Sequence, residues 1–190
     1  MDEPRGPARP SRRAIVGGAL LVPFAGLGGC SPELDWREVR EEEAGLLVTL
    51  PARPARMTRR IHLEDLPLDM TMVGAQVREV AYTVGTVTLA GPQSLERALA
   101  AMRTAMVRNI GGTERTSRAV QVARVDPAGQ RTGSVTGLEV EAIGRMRDRE
   151  AVLLARFVGI GAQAWQAVVL GAGVDREAAA LFLESLKLIR

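Results

Sequence analysis

Residues able to do chemistry are few. The 190-residue chain holds one histidine, His62, and one cysteine, Cys30. His62 lies in Ile61-His62-Leu63-Glu64-Asp65, where a neighbouring carboxylate could orient the imidazole as a general base. A hydrolase built on that pair also needs a nucleophile presented by a special turn. The run Gly133-Ser134-Val135-Thr136-Gly137 carries its serine second, whereas the nucleophile elbow carries it third, so Ser134 is not that nucleophile. Glu139 and Glu141 stand two apart on one face of an expected strand. Glu141 suits either acid-base work on a sugar or an ion pair with a cross-strand arginine. One histidine and one cysteine fall short of the usual zinc ligand sets. The glycine-rich pieces GIGA and GAGV are not followed by the Lys-Ser or Lys-Thr of a phosphate loop. The residues therefore point to no catalytic group, no metal and no cofactor.

Cys30 closes the stretch SRRAIVGGALLVPFAGLGGC, residues 11–30. Ala14 to Gly29 carries no charge, yet a membrane-spanning helix needs about 20 apolar residues, and Pro23 with several glycines makes a poor helix interior. A basic pair, a short apolar run and small residues before a cut form the pattern of a secretory signal. Leu27-Gly28-Gly29-Cys30 resembles the lipobox of bacterial lipoproteins. The resemblance implies cleavage between Gly29 and Cys30 and acylation of Cys30, holding the mature chain on a bilayer by its lipid rather than by a span. The alternative is an ordinary cysteine at the end of a hydrophobic N-terminal helix. Ser11-Arg12-Arg13, followed by Ile15 and Val16, resembles the twin-arginine export signal; a general secretory signal with two arginines is the other reading. Ser31 after the cysteine resembles lipoproteins sorted to the outer membrane. The expected location is thus the cell membrane or outer membrane, with the domain facing the periplasm.

Removing residues 1–29 changes the charge argument. The whole chain has 25 basic and 22 acidic residues, almost all the basic ones arginine. Arg5, Arg9, Arg12 and Arg13 leave with the signal, as do Asp2 and Glu3, so the mature chain is nearly neutral. A neutral domain lacks the electrostatic term on which nonspecific nucleic-acid binding depends. Aromatics make up 3% of the chain, too few for a stacking platform for sugars or single strands. Arg53, Arg56, Arg59 and Arg60 form one basic cluster, read as a solvated loop or strand edge, with anionic headgroups as the other reading. Arg145, Arg147 and Arg149 are expected to line a turn.

The elements that must position these residues follow from periodicity. Residues 30–45, with Glu41, Glu42 and Glu43, read as a charged tether, and the domain is expected over 46–190. Leu46, Val48 and Leu50 alternate, as do Leu66, Leu68, Met70 and Met72, and then Val80, Tyr82 and Val84; each set reads as a half-buried strand, with a bulge at Gly85. Leu95, Leu99, Met102 and Met106 recur at helical spacing between Ser94 and Gly111, a helix with plausible caps. Further strands are expected over 118–126 and 134–146, with Leu138, Val140 and Ala142 inward. A hairpin through Gly161 follows, and a final helix spans 175–189. This totals about seven strands and two helices, an α+β class with antiparallel pairing.

The segments LLVTLPARP, AYTVGTVTL and LLARFVGIGAQAWQAVVLGAG, with the close Phe182-Leu183-Glu184-Ser185-Leu186, resemble the Mog1/PsbP-like fold over residues 46–190. That resemblance implies one antiparallel sheet in an α/β/α sandwich with two main helices, and a non-enzymatic binding or assembly module. Taken together, the residues suggest a lipid-anchored envelope protein that docks a protein partner. The alternatives are an envelope hydrolase using His62 with a nearby carboxylate, and a carrier of a small apolar ligand.

Overall fold

Strands dominate, and more of them form than alternation alone reveals. A computed structural model describes residues 34–63 and 66–189, which belong to one compact unit spanning Ser31–Arg190. The strands are β1 (Arg37–Glu41), β2 (Leu46–Leu50), β3 (Ala55–Leu63), β4 (Leu66–Val77) and β5 (Val80–Thr88), then β6 (Thr113–Val125), β7 (Arg131–Met146), β8 (Arg149–Ile160), β9 (Gln163–Gly171) and β10 (Lys187–Ile189). The helices are α1 (Leu95–Asn109) and α2 (Arg176–Ser185). All ten strands join one sheet in the order β1-β2-β10-β6-β7-β8-β9-β5-β4-β3. Every pairing is antiparallel except β10 with β6, so the sheet is mixed.

The expected seven-stranded α/β/α sandwich is therefore corrected to a mostly-β, ten-stranded curled sheet with two helices. Three strands account for the difference. β1 forms inside the supposed tether and pairs residue for residue with β2, because Val39 offers one buried apolar side chain to a strand whose neighbours are charged. β3 forms from the arginine cluster; an edge strand needs no continuous apolar face, only a partner, here β4. β10 takes Lys187–Ile189 away from the expected last helix. That helix stops at Ser185, whose hydroxyl turns back to the Phe182 carbonyl at 2.7 Å and accepts the Thr49 backbone N–H at 2.9 Å. Gly85 is no bulge: the register runs through it unbroken on both sides. A Cβ there would press on Met70.

Curling is measurable from side chains. β2 and β9 have four strands between them in the sheet order. Flat spacing would put them about 24 Å apart. Instead Trp165 Nε1 on β9 donates to the Ala44 carbonyl, in the β1–β2 turn, at 2.7 Å, and Gln163 Nε2 donates to the same oxygen at 3.1 Å. The two outermost strands are bridged as well, Arg56 of β3 donating to Glu41 of β1 at 2.5 Å. The result is a half-barrel.

Each face has its own core. On the concave face Val48, Leu50, Tyr82, Val84, Trp165 and Val169 surround Phe182 and Leu183 of α2. Phe182 meets Tyr82 edge-on, with centroids 5.6 Å apart. On the convex face Met102 of α1 packs among Met70, Val87, Leu153 and Phe157, and Leu95, Leu99 and Met106 join it, as the helical spacing anticipates. Arg12, Arg13, Leu27, Gly28, Gly29 and Cys30, on which the expected signal and anchor rest, lie outside the described residues.

Candidate functional site

The sequence-selected groups do not converge. His62 is exposed on β3 opposite Pro67, and its side chain has no hydrogen bond or ion pair with any described residue. Glu64 and Asp65 lie outside the described residues. Ser134 sits on β7, with four strands between it and β3, and its hydroxyl donates to Gln121 at 2.9 Å. Among the described residues no cluster of histidine, cysteine and carboxylates could hold a metal ion. No described helix is long and apolar enough to cross a membrane.

Glu139 and Glu141 do lie together, facing the concave side beneath α2, but each is bound to arginine. Arg118, Glu139 and Arg156 stand directly opposite one another on β6, β7 and β8. Both arginines reach the one carboxylate, Arg156 Nη2 to Glu139 Oε2 at 2.5 Å. Arg156 is buried, and its remaining arm donates to the Leu183 carbonyl of α2 at 2.7 Å. A buried guanidinium needs such pairing, because an isolated charge away from water is very costly. Glu141 accepts from Arg176 of α2 at 2.7 Å, and that hydrogen bond holds its carboxyl below the usual carboxylate range. A carboxyl so stabilised as the anion is a poor proton donor near neutral pH. The pair therefore fastens α2 to the sheet.

The same region contains an opening. β10 pairs with β6 only at residues 123–125, so 113–122 are bonded to β7 on one side and to no strand on the other. Between this edge and α2 lies a cleft of about 230 Å³, with Thr116 and Arg118 on one wall and Ala180 and Glu184 on the other. A register shift at Arg115 makes the arrangement possible. By inserting one residue, the bulge sends Glu114 to the convex face and Thr116 to the concave one. Glu114 accepts from Arg103 of α1 at 2.7 Å, a bond that lowers its pKa, while Thr116 lines the cleft. Ala180 and Glu184, one turn apart on α2, are both exposed at the mouth of this cleft, whereas Leu181, 52% exposed, does not line it. Sequence reasoning missed this edge, since a missing neighbour leaves no trace in the strand that lacks it.

The basic cluster is divided. Arg56 pairs with Glu41 and Arg60 with Asp69, while Arg53 and Arg59 have no partner among the described residues. Arg147 and Asp148 form the tight β7–β8 turn with positive φ at both positions, 47° and 64°, as two-residue hairpins of the right twist require. A further cleft, of about 500 Å³, is lined by Leu34, Val77, Tyr82 and Asp175. Searches against protein-family models and against curated proteins find no match to the chain. The class stated here, a mixed half-barrel with a helix on each face, rests on the structure alone.

Proposed function

We propose that the mature chain is a lipid-tethered, non-catalytic docking module of the bacterial cell envelope. In this reading the signal is cut after Gly29, Cys30 carries the lipid, and the half-barrel faces the periplasm from the cell membrane or outer membrane. The support for the anchor is Leu27-Gly28-Gly29-Cys30 behind the basic pair Arg12 and Arg13. The observation that carries docking is the one-sided strand at residues 113–122, exposed along most of its length in the middle of the sheet. A strand edge of this kind accepts an extended segment of a second protein through main-chain hydrogen bonds. Side chains of that segment would reach Arg118, Thr116 and Ala180 across the cleft.

A photo-crosslinking residue at Ser117, in cells, is expected to yield a discrete adduct with an envelope protein. The adduct should disappear when Ala180 is replaced by Arg, whose side chain would fill the cleft, and be absent when the crosslinker stands at Glu96. An equal adduct from both positions, or none from Ser117, would overturn the docking reading. For the anchor, Cys30→Ala should abolish palmitate labelling and release the protein from membranes.

A further inference from the structure

We propose that the part of the convex face left uncovered by α1 docks an apolar helix flanked by acidic residues, contributed by a partner protein. This surface is separate from the β6 edge, and the inference extends the docking reading rather than replacing it.

The geometry begins with where α1 stops. Its stripe covers the strand ends around Leu63, Leu89 and Phe157, leaving the opposite ends of β3, β4, β5, β9, β8 and β7 without a helix above them. Two adjoining clefts of about 260 and 290 Å³ occupy that area and share Gln76 and Ala81. Of the three large apolar side chains most exposed among the described residues, two mark its ends: Met57 on β3 is 55% exposed and Met146 on β7 is 41% exposed. The floor between them is small at Gly74, Ala81 and Ala151, so a backbone can approach closely. Unbranched, polarizable methionine adapts to the surface it meets.

Charge selects the occupant. Arg53 and Arg59 stand beside Met57, and Arg147 stands beside Met146; none has an ion pair or hydrogen bond with a described residue. Glu150 lines the same cleft as Arg147 with no ion pair among the described residues, and Arg149 is paired with Glu79. Three unpaired arginines thus stand against one unpaired carboxylate, an excess that complements an apolar stripe with carboxylates on its flanks. A second copy of the chain, placed face to face, would oppose arginine to arginine. A planar bilayer fits poorly because α1 stands as a ridge about 10 Å high beside the strip, whereas a second helix of the same diameter would lie next to it.

The test uses residues 31–190, which form one compact unit carrying both cores. The probe is a synthetic peptide of about five helical turns, with leucine and alanine on one stripe and glutamate on both flanks. Carbon-13 methyl spectra of the methionines are expected to shift at Met57, Met72 and Met146 and to stay fixed at the buried Met102. Binding should weaken at least about tenfold with lysine in place of the glutamates, and likewise in the double variant Arg53→Glu, Arg147→Glu. Met57→Ser with Met146→Ser should lose the peptide while unfolding at the same temperature. No shift at saturating peptide, or equal shifts from the lysine peptide, would refute the proposal. Vesicles rich in phosphatidylglycerol moving these methyls when the peptide does not would assign the strip to a bilayer instead. Sedimentation as a dimer, with these methyls broadened, would assign it to a second copy. Either result leaves the Ser117 crosslink unaffected, so failure here is distinguishable from failure of the docking reading.

Discussion

The concave and convex faces of the half-barrel each carry one helix, yet they hold it differently. On the concave side α2 is fixed by Phe182, by the Arg156 bond to the Leu183 carbonyl and by Arg176 on Glu141, and Asp175 caps its first turn by accepting from the Glu177 and Ala178 N–H groups. On the convex side α1 rests on its apolar stripe, and Arg103 binds Glu114 of β6. Ser94 occupies the N-cap position of α1 but makes no capping hydrogen bond. Curling explains the asymmetry. It folds the sheet's own margins over α2, so that side chains from β2 and β9 meet around it. The same bend spreads the strands beneath α1, and one helix cannot cover them.

The contrast can be broken most directly at the two core anchors. Phe182→Ala should lower stability by about 3–5 kcal/mol, through lost burial and an unfilled cavity. Met102→Ala should cost less, about 2–3 kcal/mol, because a half-open face can relax around it. Urea unfolding of both variants measures the difference, and a larger loss at Met102 would reverse the comparison.

Next in size is the buried guanidinium. Arg156→Ala leaves the Leu183 carbonyl and one side of Glu139 without a donor and should cost about 3 kcal/mol. Arg156→Met, which fills the space without the charge, should cost less when measured in the same way. Asp175→Ala removes two bonds to the first turn of α2 and should cost about 1 kcal/mol, with hydrogen exchange quickening first at Glu177 and Ala178.

The smallest effect concerns pH and sharpens the comparison from both sides. Glu141 and Glu114 have folded pKa values lowered by hydrogen bonds from Arg176 and Arg103. Their contribution is complete above the ordinary carboxylate range and is lost as pH falls from there through the lowered folded values. The melting temperature should therefore fall on acidification below about pH 4.5. Glu141→Gln should flatten part of that decline, and Glu114→Gln another part. An unchanged acid limb in both variants would show that neither pair contributes.

Much of the local pattern was legible. The stripe of α1, the alternation of β2, β5 and β7 and the turn at Gly161 all appear in the apolar spacing, because each depends on neighbours in the chain. Glu141 meets an arginine, as one of its two readings had it, but Arg176 comes from α2 rather than from a neighbouring strand, and the cross-strand arginines Arg118 and Arg156 go to Glu139 instead. β1, β3 and β10 were not legible. Their residues are charged or too few to show a period, and they become strands because an existing edge offers them hydrogen bonds.

By itself the sequence determined that the chain would be rich in antiparallel strands, that one amphipathic helix would follow β5 and that its apolar stripe would be buried. These are properties of side-chain periodicity, and periodicity is written along the chain. The tertiary structure decided that ten strands curl into a half-barrel, that Glu139 and Glu141 are held by arginines and that residues 113–122 lack a second neighbour. Those outcomes depend on which strand ends beside which, and on a bulge at Arg115 that re-aims two side chains. Pairing across a distance of 136 residues, as between Thr49 and Ser185, leaves no local mark to read.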